Sequence, residues 1–296
     1  MTSCAVRAAI GACFLAVCGA AWAQGAAPEP ARAAETPTPT PTPSPLLRPL
    51  WELGIGAAAL HLPDYRGADQ SRTYALPLPY VVYRGTWLKA DRDGARALLI
   101  NTERVKVDLS LAASTPTRSS DNTARAGMPN LPGIAEVGPN LNLTLAGGGH
   151  RDWRLDLRLP VRAAVTLQRS PRFVGTTFSP HLNLDRQVGG WRVGVQAGPL
   201  FADRKYHEHV YAVDAAYATT TRPAYAAHGG YAGWNALAAT SRRFGPIWVG
   251  AFVRHDNLRG AAFEPSPLVR SHSAVMLGIG VAWVLAQSAE LVPGTD

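Results

Sequence analysis

Beyond Trp51 the apolar residues recur at every second position. Val105, Val107, Leu109 and Leu111 alternate with Lys106, Asp108 and Ser110. The longest run sets Trp153, Leu155, Leu157, Leu159, Val161, Ala163, Val165 and Leu167 against Arg154, Asp156, Arg158, Arg162, Thr166 and Gln168. Trp191, Val193, Val195 and Ala197 repeat the pattern, as do Val275, Leu277, Ile279, Val281, Trp283 and Leu285 against Met276, Gly278, Gly280 and Ala282. A period of two gives a strand one apolar face and one polar or small face. It predicts strands near 51–60, 74–84, 86–91, 95–100, 104–113, 134–146, 151–168, 173–187, 191–203, 230–243, 246–258 and 272–286. A soluble sandwich shares the alternation but builds it from strands of about five to six residues. Strands of ten or more fit a transmembrane barrel, which must close because an open edge in hydrocarbon leaves backbone groups unsatisfied.

The expected fold is therefore all-β, an antiparallel transmembrane barrel of about twelve strands, an even number as bacterial single-chain barrels have. The short pair around Asp91-Arg92-Asp93-Gly94 is the weak place and leaves ten to fourteen open. With both ends of the barrel in the periplasm, the long connections 61–73, 114–133, 204–229 and 259–271 all fall outside. The connections 84–86, 101–103, 147–150, 188–190 and 244–245 become short inner turns, the expected asymmetry.

Ahead of the barrel, residues 1–23 read as an export signal. Arg7 supplies the positive start, Ala8–Ala23 the apolar run, and Ala21-Trp22-Ala23 the small-x-small cleavage site. The three cysteines, Cys4, Cys13 and Cys18, all lie in it, so the mature chain has no thiol chemistry. A lipoprotein box ending at Cys18 is the rival reading, and Val17 is large for it. Residues 24–49 are Pro- and Thr-rich, with Thr36–Pro43 a literal Thr-Pro repeat; such a linker favours extended polyproline II and buries no core. The barrel then occupies 50–286 and a tail 287–296.

Asp64-Tyr65-Arg66-Gly67-Ala68-Asp69, then Leu76-Pro77-Leu78-Pro79-Tyr80 and Tyr83-Arg84-Gly85, resemble the MipA/OmpV family of outer-membrane proteins. A second likeness is Leu258-Arg259-Gly260-Ala261-Ala262-Phe263-Glu264-Pro265-Ser266-Pro267-Leu268-Val269, and a looser one is Tyr206 with Tyr211-Ala212-Val213. The family-motif residues carried over are Asp64, Tyr65, Gly67, Asp69, Pro77, Pro79, Tyr83, Arg84, Gly85, Gly260, Ser266 and Pro267. The resemblance implies a non-enzymatic outer-membrane protein. Its expected role is a scaffold bringing a lytic transglycosylase together with a bifunctional peptidoglycan synthase, a penicillin-binding protein. A narrow pore for small solutes and a surface adhesin are the other readings.

A barrel hydrolase needs a serine and a histidine sharing the lipid face; His272-Ser273 are adjacent, so they point to opposite faces. His255-Asp256-Asn257 reads as a loop rim. His207-Glu208-His209 offers two imidazoles if extended, short of the three or four ligands zinc takes. Gly147-Gly148-Gly149 lacks the lysine and helix of a phosphate loop. Nothing calls for a cofactor or metal. The net charge is +8, and all but three of the 29 basic residues are arginine. Lys106, Asp108, Arg154, Asp156, Arg158, Arg162 and Arg192 share the expected lumen face; their mixed signs predict a charge network, with an anion-preferring pore as the alternative. Arg66, Arg72, Arg118, Arg125 and Arg222 fall in outer loops, placed for lipopolysaccharide phosphates. Outer-membrane lipid is thus an expected partner and nucleic acid is not. Trp51, Trp87, Trp153, Trp191, Trp248, Trp283, Tyr74, Tyr80 and Tyr83 are the expected interface girdle.

Overall fold

The computed structural model describes residues 47–85, 88–91, 94–102, 104–148 and 151–293, the backbone alone over 88–101. The expected signal segment, nearly all of the linker and Trp87 lie outside the described residues. Period-two alternation becomes a single antiparallel sheet. Its strands are β2 (Trp51–Pro63), β3 (Ser71–Arg84), β4 (Leu88–Asp91), β5 (Gly94–Asn101), β6 (Val105–Ser114), β7 (Ile134–Gly147) and β8 (Trp153–Thr166). They continue as β9 (Phe173–Phe178), β10 (His181–Val188), β11 (Trp191–Ala202), β12 (Gly230–Phe244), β13 (Ile247–Asn257) and β14 (Ser273–Gln287). β14 pairs with β2 from Leu277↔His61 to Gln287↔Glu52, which closes the sheet into a barrel.

β9 and β10 both pair with β8 and are two halves of one strand, broken where Ser179-Pro180 interrupts it. Proline has no N–H to give the ladder. Counted so, the wall has twelve strands among the described residues. β1 (Leu47–Pro49) and β15 (Leu291–Pro293) form a separate two-stranded ladder. The end of the linker and the tail are therefore paired, which their composition does not announce.

Side-chain direction follows the alternation. On β14, Val275, Leu277, Ile279, Val281, Trp283 and Leu285 point outward and are between 46% and 67% exposed. Met276, Gly278, Gly280, Ala282 and Val284 point inward. Such an inside-out pattern suits a wall solvated by lipid. Two inward glycines make room for rings: a Cβ on Gly250 would strike Trp248, and one on Gly278 would strike Phe252. Trp248 and Tyr80 thus lie in the lumen, 6.0 Å apart, and not in the girdle. Trp191, with Phe244 edge-on at 6.1 Å, and Trp283 keep the outward position expected of them.

One hairpin of the wall is short. β4 has four residues and β5 eight, against about nine to eleven for a strand that spans a bilayer. β3 meets β4 only at Tyr83↔Ala90 and Arg84↔Lys89, and β5 meets β6 only from Leu98↔Asp108 to Asn101↔Lys106. Beyond that level, among the described residues, Ser71–Val82 of β3 and Leu109–Ser114 of β6 have a ladder on one side only.

All the long connections lie at one end. The connection from β11 to β12 carries helix α1 (Arg204–Tyr211), whose N-terminus is capped by Asp203 accepting from the Tyr206 amide at 2.8 Å. The protein's apolar core is here, not between the strands. Tyr65, Ala68, Leu131, Val210, Tyr211, Val213, Leu258, Phe263 and Leu268 from the loops pack on the inward strand-end residues Ala164, Val174 and Ala232. Outer-membrane barrels carry their long loops outside, so this cap fills the outer mouth.

Candidate functional site

The cap is held by three chain segments that are distant in sequence. Tyr65 donates its hydroxyl to the Leu268 carbonyl at 2.8 Å, across 203 residues of chain. The amides of Arg270 and Ser271 reach the Gly67 carbonyl at 2.7 and 3.0 Å. Ser266 donates to the Tyr211 carbonyl at 2.7 Å, and the Tyr211 hydroxyl donates to the Arg66 carbonyl at 2.9 Å. Phe263 is fully buried, stacked on Tyr211 at 3.7 Å between centroids. Gly67 takes φ +99°, a left-handed conformation that side chains resist, and a Cβ there would sit 3.2 Å from Leu258. Gly260 opens the turn into the third segment at φ +77°. Pro267 sits beside Ser266 in that segment.

Asp64 is buried, and its carboxylate accepts from Arg72 at 2.7 Å and Asn122 at 2.8 Å, while its carbonyl takes the Thr117 hydroxyl. Asp69 is exposed. The loop arginines are mostly engaged within the cap. Arg66 reaches Asp256 at 3.4 Å, Arg125 the Val210 carbonyl at 3.0 Å, and Arg222 the carbonyls of Ala124, Ala126 and Tyr217. Arg72 also binds Asp121 at 3.1 Å, so of the five loop arginines Arg118 alone has an exposed side chain with no hydrogen bond or ion pair among the described residues. The remaining motif residues lie elsewhere. Pro77 and Pro79 face outward on β3, Tyr83 pairs across from Trp51, and Arg84 and Gly85 sit at the inner end.

The His207–His209 segment is helical, not extended. Residues two apart on a helix diverge, so the two imidazoles do not converge on a ligand. His207 Nδ1 instead meets the His228 carbonyl at 2.6 Å, and its ring lies edge-on to Phe263 at 4.7 Å. Burial holds the His207 pKa below the ordinary histidine value; Arg66 adds to this, while the His228 carbonyl and Asp203 oppose it. Burial, with Arg125, lowers His209 too. The folded cap therefore keeps both rings neutral, and the unfolded chain takes up protons first. Cap stability is full above about pH 6.5 and falls as pH drops below it. Going from about pH 7.5 to 5 is expected to lower the amide protection factors, corrected for the intrinsic rate at each pH, across 204–229 while those of the barrel strands are kept. Equal protection of these loops at both pH values would refute this.

Below the cap lies a lumen cavity of about 520 Å³. The seven residues expected on the lumen face lie at inward-facing strand positions. Arg154 binds Asp156 at 2.8 Å, which also accepts from Thr144 at 2.8 Å. Arg158 reaches Asp185 at 3.5 Å. Asp108 takes no arginine but the amides of Asn140 and Asn142, at 3.0 and 2.9 Å. Arg162 binds the hydroxyls of Ser110 and Ser179, and Arg192 lines the cavity. Lys106, the seventh, is half-buried on the same face of β6. The opposite wall is apolar: Ala58, Leu60, Leu78, Trp248, Phe252 and Gly280. At the inner end, buried Glu52 holds Arg84 at 2.8 Å and Arg243.

One pairing escaped the sequence. His255 Nε2 and Ser273 Oγ stand 2.8 Å apart across β13 and β14, both on the outward face. Adjacent-residue reasoning misses it because the two lie on neighbouring strands. Asp256 turns inward to Arg254 and Arg66, and among the described residues no acid holds the other nitrogen of His255.

Residues 55–285 match the family model described as MltA-interacting protein MipA. The chain belongs to the MipA family. No curated protein matches it. Among solved structures, the outer membrane phospholipase A of Escherichia coli is similar at 11% identity over 84% of this chain and 94% of that one, with a TM-score of 0.32. A porin matches at 10% over 79% and 100%, TM-score 0.33, and the CymD monoaromatic hydrocarbon channel at 11% over 82% and 68%, TM-score 0.25. No activity is carried over at this distance; the barrel rests on this MipA chain's own closed sheet. Segments 64–69, 206–213 and 258–269, read from sequence as family-like, are the ones that interlock in its cap.

Proposed function

We propose that this MipA-family barrel is an outer-membrane scaffold for peptidoglycan-remodelling enzymes, a lytic transglycosylase and a penicillin-binding protein. The family's name supports the first partner, since it describes a protein that interacts with the transglycosylase MltA. The observation that carries the reading is the filled outer mouth. The family-like segments are spent on closing the barrel to the outside, which favours work at the periplasmic end over transport through it. The chain enters β2 and leaves β14 at that inner end, where the Leu50 amide meets the Glu290 carbonyl at 2.9 Å. The end of the Pro/Thr linker, Leu47–Pro49, therefore lies on the side that faces the cell wall. The mature chain is proposed to begin at Gln24.

The test is a crosslinked pull-down from detergent-solubilised envelopes, using the tagged mature chain with and without residues 24–49. Enrichment of a lytic transglycosylase and a penicillin-binding protein over a control barrel is the expected result, and loss on trimming would assign the contact to the linker. Neither enzyme above control would overturn the scaffold.

A further inference from the structure

Strand parity sends two consecutive arginines of β12 to opposite sides of the wall. Arg243 faces the lumen, where Glu52 and the Gly245 carbonyl hold it. Arg242 faces outward with Trp234 and Phe244, near the inner end of the strand. Its guanidinium lies over the Phe244 ring at 4.8 Å and the Trp191 ring at 5.7 Å. The turn at Gly189-Gly190 closes a third side: a Cβ on Gly190 would sit 3.7 Å from Cζ of Arg242. The side chain is half-buried in this cup, yet among the described residues it makes no hydrogen bond or ion pair. Val249 stands across from it on β13, and Thr240 and Phe244 flank it on β12, so its neighbours in the sheet supply no acid.

An aromatic belt explains Trp191 and Phe244 without the arginine. A charge on the lipid face of a barrel is costly at mid-bilayer and tolerated at the headgroup level, which fixes the depth of Arg242. Two rings and a turn hold its guanidinium in place, so its donors are aimed before anything binds. Such a planar fork matches the oxygens of a phosphate. The long loops lie at the other end, so this level belongs to the periplasmic leaflet, which is built of phospholipid. The surroundings are cationic. Two strands away Arg186 faces the same way, paired with Asp152 at 3.8 Å, and Arg151 stands over Trp153 at 5.8 Å. A zwitterionic headgroup brings an ammonium that these charges repel; an anionic headgroup does not.

We propose that the inner end of β11 and β12 is a binding site for an anionic phospholipid of the periplasmic leaflet, its phosphate on Arg242 and its acyl chains along the outward Val195 and Leu184. These two side chains are 44% and 42% exposed and stand opposite each other across β11 and β10, toward mid-bilayer from Trp191. The site does not rest on the scaffold reading, which concerns protein partners.

The mature chain would be reconstituted in phosphatidylcholine vesicles at about 0.1 M salt, where charges more than about 10 Å away are screened. The titrant is phosphatidylglycerol brominated on its acyl chains, with brominated phosphatidylcholine as the comparison. Bromine quenches tryptophans on the lipid face, Trp191 among them. Expected is a saturable component of quenching at low fractions of the anionic lipid that phosphatidylcholine does not give. In Arg242→Gln its half-saturating fraction should rise about five- to tenfold, the scale of one arginine–phosphate contact at a membrane surface. Arg259→Gln, an equal loss of charge in an outer loop, should leave it unchanged. Phe244→Leu, which removes one side of the cup and keeps the charge, should raise it about threefold. A heat-modifiable gel shift confirms that each variant is folded. Should Arg242→Gln fail that check, Arg242→Lys, which keeps the charge and loses the planar fork, must weaken the component about threefold. Quenching that is alike for both lipids, a component weakened as much by Arg259→Gln, or one unchanged in the folded Arg242 variant would overturn the proposal.

Discussion

Replacing Phe263 with alanine is expected to unlock the outer mouth while the barrel survives. The ring is fully buried, stacked on Tyr211 and edged by His207. Deleting a buried phenylalanine costs about 3–5 kcal/mol through lost burial and the cavity left behind. That loss falls on loop-to-loop packing and not on the strand ladders, so the cap should open without unravelling the wall. Protease should then cut within 204–229 and 258–272, and conductance in a planar bilayer should rise, while the heat-modifiable shift is kept. A variant as protected and as silent as the parent would show that the cap does not depend on this stack.

Replacing Glu52 with leucine is expected to be the costliest single change at the inner end. Its side chain is 1% exposed and bridges Arg84 and Arg243. Removing one partner of a buried ion pair typically costs about 3–5 kcal/mol, because the remaining charge is left without compensation. Arg243 is 33% exposed toward the lumen, so water recovers part of this, and about 2–3 kcal/mol is expected. The urea midpoint of the reconstituted protein reports it. The double variant Glu52→Leu with Arg84→Met should regain part of the loss; if it is additive or worse, charge compensation is not what Glu52 supplies.

The wall was legible in the sequence because lipid on one side and a lumen on the other impose a strict alternation, as in β8 and β14. The break at Ser179-Pro180 was missed because apolar character continues across it. Trp248 and Tyr80 were misplaced to the girdle, since an aromatic near a strand end satisfies either location until its parity is fixed by the ladder. The cap was the least legible part. Its residues carry no period, and its contacts, such as Tyr65 to Leu268, join segments that only the closed barrel brings together. The loop arginines looked like outward-facing cations for the same reason: backbone carbonyls that engage Arg222 are invisible in a linear chain. Strand parity assigns the lumen charges to one face, but the engagement of Asp108 by two asparagine amides depends on register.

The ladder that joins β14 to β2 unites the last long strand to the first. Until Ser273–Gln287 has emerged, Trp51–Pro63 has no partner on that side, and a hydrocarbon environment will not accept the bare edge. Insertion therefore works as a length check. A chain cut short anywhere before residue 273 keeps an unsealed edge and is expected not to insert.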